Sequence, residues 1–372
     1  MKICPVIMAG GVGSRFWPES RERRPKQLLE VVHPGETLIQ STFRRIKEFA
    51  SIEDTIVITN EAQREELQRQ IPELPAQNIF AEPFGRNTAP CVALGAKIIR
   101  DRLGEDVVMV VLPADHIIKN ANEFARLIKL GCRLAEKTRA LVTVGIHPTR
   151  PETGYGYIQL EDEKLPSQKD LPEFTEFELR DVFLVRRFAE KPDIDTARRF
   201  VESGDFLWNS GMFIWRVDAI TTALGEFTQE VHEQIFALPS ETSPDFSARL
   251  NDAYSCIRGV SIDYGVMERA QNVYVLRAGA LGWSDVGSWD EVYRLSEKDL
   301  DNNVLVGEHV VAKSSRGSLA ISRTDQLVVL YGVQDVIVVN TGDAILVTDR
   351  DSAQGVKEVV DYLKRNQLKE YL

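Results

Sequence analysis

The sequence is poor in the residues that announce several common chemistries. Its four cysteines, Cys4, Cys91, Cys132 and Cys256, stand far apart, with no C-x-x-C pair and no histidines nearby. That spacing excludes a zinc framework and a dense disulfide scaffold, and implies free thiols in a reducing cytosol. Long apolar runs are missing too: nothing approaches the roughly 20 residues of a membrane span. Pro5 interrupts an N-terminal apolar run that is too brief for a signal peptide. A cytoplasmic protein without a membrane partner is expected. Excess positive charge is the third absence, with 45 Lys and Arg against 56 Asp and Glu and a formal net charge of −11. This balance argues against a nucleic-acid partner.

Against the acidic background one segment is basic. "VIMAGGVGSRFWPESRERRPKQLLEV" places Gly10, Gly11 and Gly13 after a short apolar run, then crowds Arg21, Arg23, Arg24 and Lys26 together. It is not a P-loop, because no G-x-x-x-x-G-K-[ST] occurs. It is not a dinucleotide fingerprint either, since Gly11-Val12-Gly13-Ser14-Arg15-Phe16 ends in phenylalanine rather than glycine or alanine. What remains is a glycine-rich turn at the carboxyl edge of a first strand, where successive backbone N–H groups form an anion nest. Arg15 and Lys26 add charge suited to a polyphosphate. A tight turn beside a solvated basic stretch is the plainer alternative.

Apolar runs at Ile3–Met8, Thr55–Thr59, Val107–Leu112 and Leu141–Ile146 read as strands buried on both faces. Helical spacing falls between them at Leu38–Phe49, Glu61–Gln70, Pro90–Leu103 and Glu123–Lys137. The alternation predicts an α/β fold with a mixed, mostly parallel sheet covered by helices on both sides. Further strands are predicted at Phe183–Ala189, Met212–Trp215 and Val273–Arg277, and a helix at Asp195–Glu202 closed by Gly204. Ser288 and Glu291 make a capping-box pattern for a helix over Trp289–Glu297. After a polar break at Asp299–Asn303 come short β runs at Val304–Val306, Val310–Ala312, Leu319–Ser322, Leu327–Tyr331, Val336–Asn340 and Ala344–Thr348, then a helix over Ser352–Lys364. We therefore divide the chain into residues 1–298 and a small β-rich module, 299–372. The pattern does not decide whether that module coils as a β-helix or pairs as a meander.

The first loop, with Gly10-Gly11-Val12-Gly13-Ser14-Arg15 and then Pro25-Lys26-Gln27, resembles the signature of sugar-1-phosphate nucleotidyltransferases. "EPFGRNTAP", "LPADH", "TGYGYI", "FAEKPD", "WNSGMFIW", "SIDYGVME" and "GWSDVGSW" follow in order and resemble the guanosine- and mannose-using branch. The likeness covers roughly residues 1–300 strongly and the module loosely. It implies a Rossmann-like domain that joins GTP to mannose 1-phosphate, yielding GDP-mannose and pyrophosphate with Mg²⁺ as cofactor. A homodimer is the expected assembly.

The resemblance also implies roles by position. Ala9, Gly10, Gly11, Gly13, Ser14, Asn87, Thr88 and Pro113 would contact the nucleotide, the Asn87 stretch reading the purine. Asp115 would hold Mg²⁺, with Asp285 as the second carboxylate; magnesium suits one or two carboxylates completed by phosphate oxygens and water. Glu190, Asn209, Gly211 and Gly154 would meet the sugar, and Lys191 its phosphate. Each has a plainer reading: helix capping for Asn87 and Asp285, a turn for Asp115, a surface ion pair for Glu190 and Lys191. His116 reads as structural. The two aspartates are expected to be solvated edge carboxylates that contribute little to the core.

The nucleophile, a sugar phosphate oxygen, is already ionised at neutral pH, so no serine, cysteine or histidine base is required. Catalysis would rest on positioning and on charge neutralisation by Arg15, Lys26, Lys191 and the metal. A relative using another sugar or base, and a non-catalytic regulatory subunit, are the alternatives. A glycosyltransferase would usually show D-x-D where this chain has Ala114-Asp115-His116. Longer relatives carry a metal-dependent isomerase domain; the chain stops at Leu372, and interconversion of mannose 6-phosphate and fructose 6-phosphate is expected to be absent.

Overall fold

The computed structural model describes residues 1–32, 34–161 and 167–372. In chain order the first eleven strands are β1 Ile3–Met8, β2 Ile56–Asn60, β3 Ile79–Glu82, β4 Val108–Pro113, β5 Ile117–Ile118, β6 Leu141–Ile146, β7 Tyr157–Leu160, β8 Val182–Ala189, β9 Phe206–Arg216, β10 Val273–Ala278 and β11 Trp283–Ser284. Nine of them form one mixed sheet in the order β3-β2-β1-β4-β9-β6-β10-β8-β7, and β9 also pairs with β7. Only β8 and β9 run against the rest. The period-2 alternation of side chains splits β4 between two cores. Met109 and Val111 join the cluster under helix Thr88–Leu103, whereas Val108 and Val110 join the cluster under helices Leu38–Ile46 and Ala121–Thr138.

Several sequence readings need correction in detail: the helix over Leu38–Phe49 ends at Ile46, and the one over Ser352–Lys364 is α-helical only from Val356. The strand expected at Met212–Trp215 is the second half of β9, which is 11 residues long. The helix expected to reach Glu297 stops at Leu295. Its capping box does not form, since the Ser288 side chain makes no cap bond. Glu291 turns instead to the Ser284 hydroxyl, at 3.2 Å, and to Arg150, at 3.3 Å. A nearby charge and a hydroxyl outcompete the local bond.

The carboxyl-terminal strands are β12 Val304–Val306, β13 Val310–Lys313, β14 Leu319–Ser322, β15 Val328–Tyr331, β16 Val336–Asn340 and β17 Ile345–Asp349. They pair in parallel by skipping a neighbour, β12 with β14, β14 with β16, and β13 with β15. A meander would pair consecutive strands antiparallel, so the module is a β-helix. Two of its rungs register residues 18 apart, Val310 on Val328 and Leu319 on Ile337; the first registers Val304 on Leu319, 15 apart, and antiparallel β17 ends the stack.

The β-helix packs directly on the glycine loop. Phe16, Trp17, Leu29 and Val31 share one buried apolar cluster with Val304, Leu319, Ile337 and Val339. Polar struts cross the same seam: Arg323 Nε donates to Glu19 Oε1 at 2.6 Å, Arg21 Nη2 to Asp343 Oδ2 at 2.9 Å, and Arg350 Nε to Asp290 Oδ1 at 2.9 Å. Within the basic stretch of the first loop Arg21 therefore bonds across to the β-helix, whereas Lys26 turns the other way.

Candidate active site

The carboxyl ends of β1, β3 and β4 and the middle of antiparallel β9 open onto a cleft of about 490 Å³. Gly10 and Gly11 form its floor; Glu82, Asn87 and Thr88 stand at one end, and Gly154, Glu190, Lys191, Asn209 and Gly211 at the other. Pro113 and Asp285 line it between them. A second chamber of about 590 Å³ adjoins through Gly154, Tyr155, Lys191 and Asp285, and Arg15 and Arg150 also line it. Ala9 lies beneath the floor, buried, its carbonyl accepting from Gln27 Nε2 at 2.7 Å and Thr59 Oγ1 at 3.1 Å.

Backbone geometry explains the glycine loop. Gly13 has φ of 67°, and a Cβ there would sit 2.4 Å from Lys26 Cβ. Only glycine permits both the left-handed turn and the close pass of the lysine segment. Ser14 then starts a single 3₁₀ turn, Ser14–Phe16. Three non-glycine residues with positive φ also border the cleft: Asn87 at 67°, Lys191 at 44° and Val286, next to Asp285, at 47°. Such conformations cost of order 1–3 kcal/mol each and persist where the surroundings over-determine them.

Lys26 is the pivot of the charged middle. Only 5% exposed, it places Nζ 2.8 Å from Asp115 Oδ2 and also donates to the Asp285 carbonyl oxygen. Asp115 and Asp285 thus meet at one ammonium although they leave the sheet from different elements; the β5–β11 pair, Ser284 opposite Ile117, brings them together. The Asp115 carboxyl is opposed by burial, but the Lys26 ammonium and then His116 outweigh this and hold its pKa below the ordinary value. Burial lowers the pKa of His116, whose Nδ1 accepts from Trp283 Nε1 at 3.2 Å. That fits a neutral, structural ring. Asp285 Oδ1 accepts from the Tyr155 hydroxyl.

Asp115 departs from the expectation of a merely solvated carboxylate, because its partner is a buried cation. Asn87 does cap helix Thr88–Leu103, its Oδ1 accepting from the Thr88 N–H at 2.9 Å, and it also lines the cleft. Glu190 pairs with Lys191 at 3.0 Å, and a Cβ on Gly156 would lie 2.4 Å from Glu190 Oε2.

Several cleft residues were not singled out from sequence. Burial pushes the Glu82 carboxyl up to about 7, although the Tyr254 hydroxyl donates to Oε1 at 2.8 Å. Asp263 is pushed up to about 6 by burial and then by the Glu190 charge. Tyr155 supports Asp285 and packs edge-on against Trp208 and Trp283. Glu82, Asp263 and Tyr155 do lie inside the quoted motifs "EPFGRNTAP", "SIDYGVME" and "TGYGYI", the one signal that could have found them.

The fold and this cleft define a nucleotide-handling transferase, and the nucleotidyl transferase family profile matches residues 4–302. The chain belongs to that family. A second profile, the mannose-phosphate isomerase/GMP-like β-helix domain, matches residues 307–363. The mannose-1-phosphate guanylyltransferase of Salmonella muenchen is 40% identical over 377 residues, spanning 100% of this chain and 75% of that protein. The alginate biosynthesis protein AlgA of Pseudomonas fluorescens is 39% identical over 364 residues, covering 96% of this chain and 71% of its own. A crystal structure from Thermus thermophilus, described as a mannose-1-phosphate geranyltransferase, superposes with a TM-score of 0.83 at 31% identity, covering 98% of this chain and all of the other. Among the described residues, no helix is long and apolar enough to cross a membrane.

Proposed function

We propose that the protein transfers GMP from GTP to mannose 1-phosphate, giving GDP-mannose and pyrophosphate. One observation carries the reading: a single cleft is lined by Gly10, Gly11, Glu82 and Asn87 together with Glu190, Lys191 and Asn209, and Asp285 on its wall bonds the buried Lys26 ammonium through its main-chain oxygen. The decisive assay is pyrophosphate release with each pairing of nucleoside triphosphate and sugar 1-phosphate. GTP with mannose 1-phosphate is expected to have the highest specificity constant, and a higher one with UTP or dTTP would overturn the base assignment.

In this reading a mannose 1-phosphate oxygen attacks the α-phosphorus in line. The new P–O bond forms as the bridge to the β-phosphate breaks, and pyrophosphate leaves with the electron pair. No side chain removes a proton, since the attacking phosphate is ionised. Lys26 and Arg15 neutralise the triphosphate, and Lys191 draws in the sugar phosphate. We further infer that Asp115 and Asp285 hold a divalent cation, Mg²⁺. The donors fit: Lys26 occupies Oδ2 of one and Tyr155 takes Oδ1 of the other, leaving one carboxylate oxygen on each. Two such oxygens, completed by phosphate and water, suit magnesium's preference for few protein ligands. Bound there, the ion supplies charge neutralisation to the phosphates.

Lys191→Ala is expected to raise KM for mannose 1-phosphate roughly 10–100-fold, the worth of a hydrogen bond to a charged group, with GTP affinity nearly unchanged. Calorimetry finding lost GTP affinity beside an unaltered sugar KM would reverse the assignment.

Glu82 supplies a carboxylate at the purine end, its Oε2 lying 3.1 Å from where a Gly10 Cβ would stand. Guanine presents N1–H and its 2-amino group side by side, and an ionised carboxylate accepts both. Because the free Glu82 titrates at about 7 and these donors favour the ionised form, affinity falls as pH drops through that value. KM for GTP is therefore expected to rise from pH 8 to pH 6. Glu82→Gln should weaken GTP roughly 10–100-fold and flatten the profile; an equally steep profile in the variant assigns the titration elsewhere.

A further inference from the structure

Asp263 opens a single π-helical turn, Asp263–Met267, on the wall of the cleft. Such turns are rare and occur frequently at functional sites. The Asn209 amide Nδ2 donates to Asp263 Oδ1 at 2.6 Å. Asn209 itself is set by an irregularity in β9, where the pairing with β6 slips between Thr143 and Gly145. Gly211, at φ of 69°, turns the chain there, and its N–H donates to Asn209 Oδ1 at 3.2 Å. Bulges of this kind re-aim a side chain beside an active site.

The amide is thereby locked at both ends, and it locks the rotation of the carboxylate. Among the described residues no side-chain donor reaches Asp263 Oδ2. Glu190 lies close enough for its charge to act on Asp263, so two carboxylates share a partly buried wall, and the ammonium within ion-pair reach is Lys191, paired with Glu190. Orienting Asn209 needs only an acceptor, which an asparagine at 263 could also provide. A second negative charge on this wall is unfavourable for the fold and becomes favourable when neutral donors arrive.

We propose that Asp263 accepts a hydrogen bond from a ring hydroxyl of the hexose 1-phosphate, through the oxygen that Asn209 leaves unbonded, and so helps to decide which sugar is used. The inference rests on the transferase reading above. A sugar lacking or inverting that hydroxyl would leave the carboxylate without its donor, and sites built to bond a hydroxyl discriminate strongly against analogues without it.

The test is kcat/KM at saturating GTP for the full chain and for Asp263→Ala and Asp263→Asn, with circular dichroism as the folding control. Substrates are mannose 1-phosphate and its monodeoxy analogues at C2, C3, C4 and C6. Asp263→Ala is expected to lose roughly 10–100-fold on mannose 1-phosphate and to lose little further on one analogue, or on two adjacent ones, with the GTP Kd unchanged. If Ala disturbs folding, Asp263→Asn, which keeps an acceptor for Asn209, reads the same pattern. An equal loss on every analogue in the folded variant would show that Asp263 only orients Asn209 and would overturn the proposal. A wild-type chain that ignores mannose 1-phosphate but uses another sugar would defeat the substrate assignment instead; the deoxy series of that sugar then decides Asp263 by the same pattern.

Discussion

Asp285→Asn is expected to lower kcat roughly 10²–10³-fold, about 3–4 kcal/mol, by analogy with loss of one preorganised electrostatic group. The substitution is clean. Asparagine retains an Oδ1 acceptor for the Tyr155 hydroxyl, and Lys26 bonds the main-chain oxygen of residue 285 rather than its side chain. The carboxylate charge is what disappears. Phosphate oxygens gather charge as the reaction proceeds, so the loss is felt in the transition state more than in the ground state. KM and thermal stability should move little. Turnover across a magnesium titration, with circular dichroism alongside, checks this; a folded variant with near-normal rate and magnesium dependence would remove Asp285 from the metal site. Asp115→Asn is a poorer probe. It strands the buried Lys26 ammonium, at part of the roughly 3–5 kcal/mol cost of breaking a fully buried pair, reduced because the Asp115 side chain is 37% exposed.

Lys26→Met is expected to be at least as damaging, lowering kcat/KM by on the order of 10³-fold, the upper end for one preorganised charge. Methionine preserves most of the stem that passes Gly13, while the ammonium it removes lies over the Phe16 ring, 5.5 Å from its centroid. It removes the ammonium that joins Asp115 to the Asp285 strand end. Burial already opposes ionisation of Asp115, and Lys26 is the strongest influence pulling the other way. Its loss raises the Asp115 pKa. The depressed carboxyl of the wild type contributes stability that is lost only as pH falls through its lowered value. In the variant that contribution shrinks, so Tm falls less steeply with acid, while the acid limb of the rate profile should shift upward because the carboxyl protonates at higher pH. The pH dependence of kcat/KM and of Tm measures both effects. Near-normal kcat/KM with an unmoved acid limb would take Lys26 out of the chemistry and leave it as a structural strut.

Local pattern alone determined a good deal. The runs Ile3–Met8 and Leu141–Ile146 are strands and Glu61–Gln70 is a helix at the bounds their spacing marks, because side-chain periodicity is a property of consecutive residues. The glycine loop was readable for a similar reason: its backbone freedom and its charges lie in one short stretch. The β-helix was not readable, since each strand is short and its partner is a full coil away; alternating residues look the same whether the neighbour is about 8 or 18 positions on. The tertiary structure alone decided that Lys26 turns to Asp115 and Asp285 while Arg21 turns to the module. It alone decided that Tyr155 supports Asp285 across 130 residues and that Asn209 reaches Asp263 across 54. Those contacts depend on the β9 irregularity, the β5–β11 pair and the seam with the β-helix. Each is a long-range packing result, in which the choice of partner depends on groups that only the completed fold brings within bonding distance.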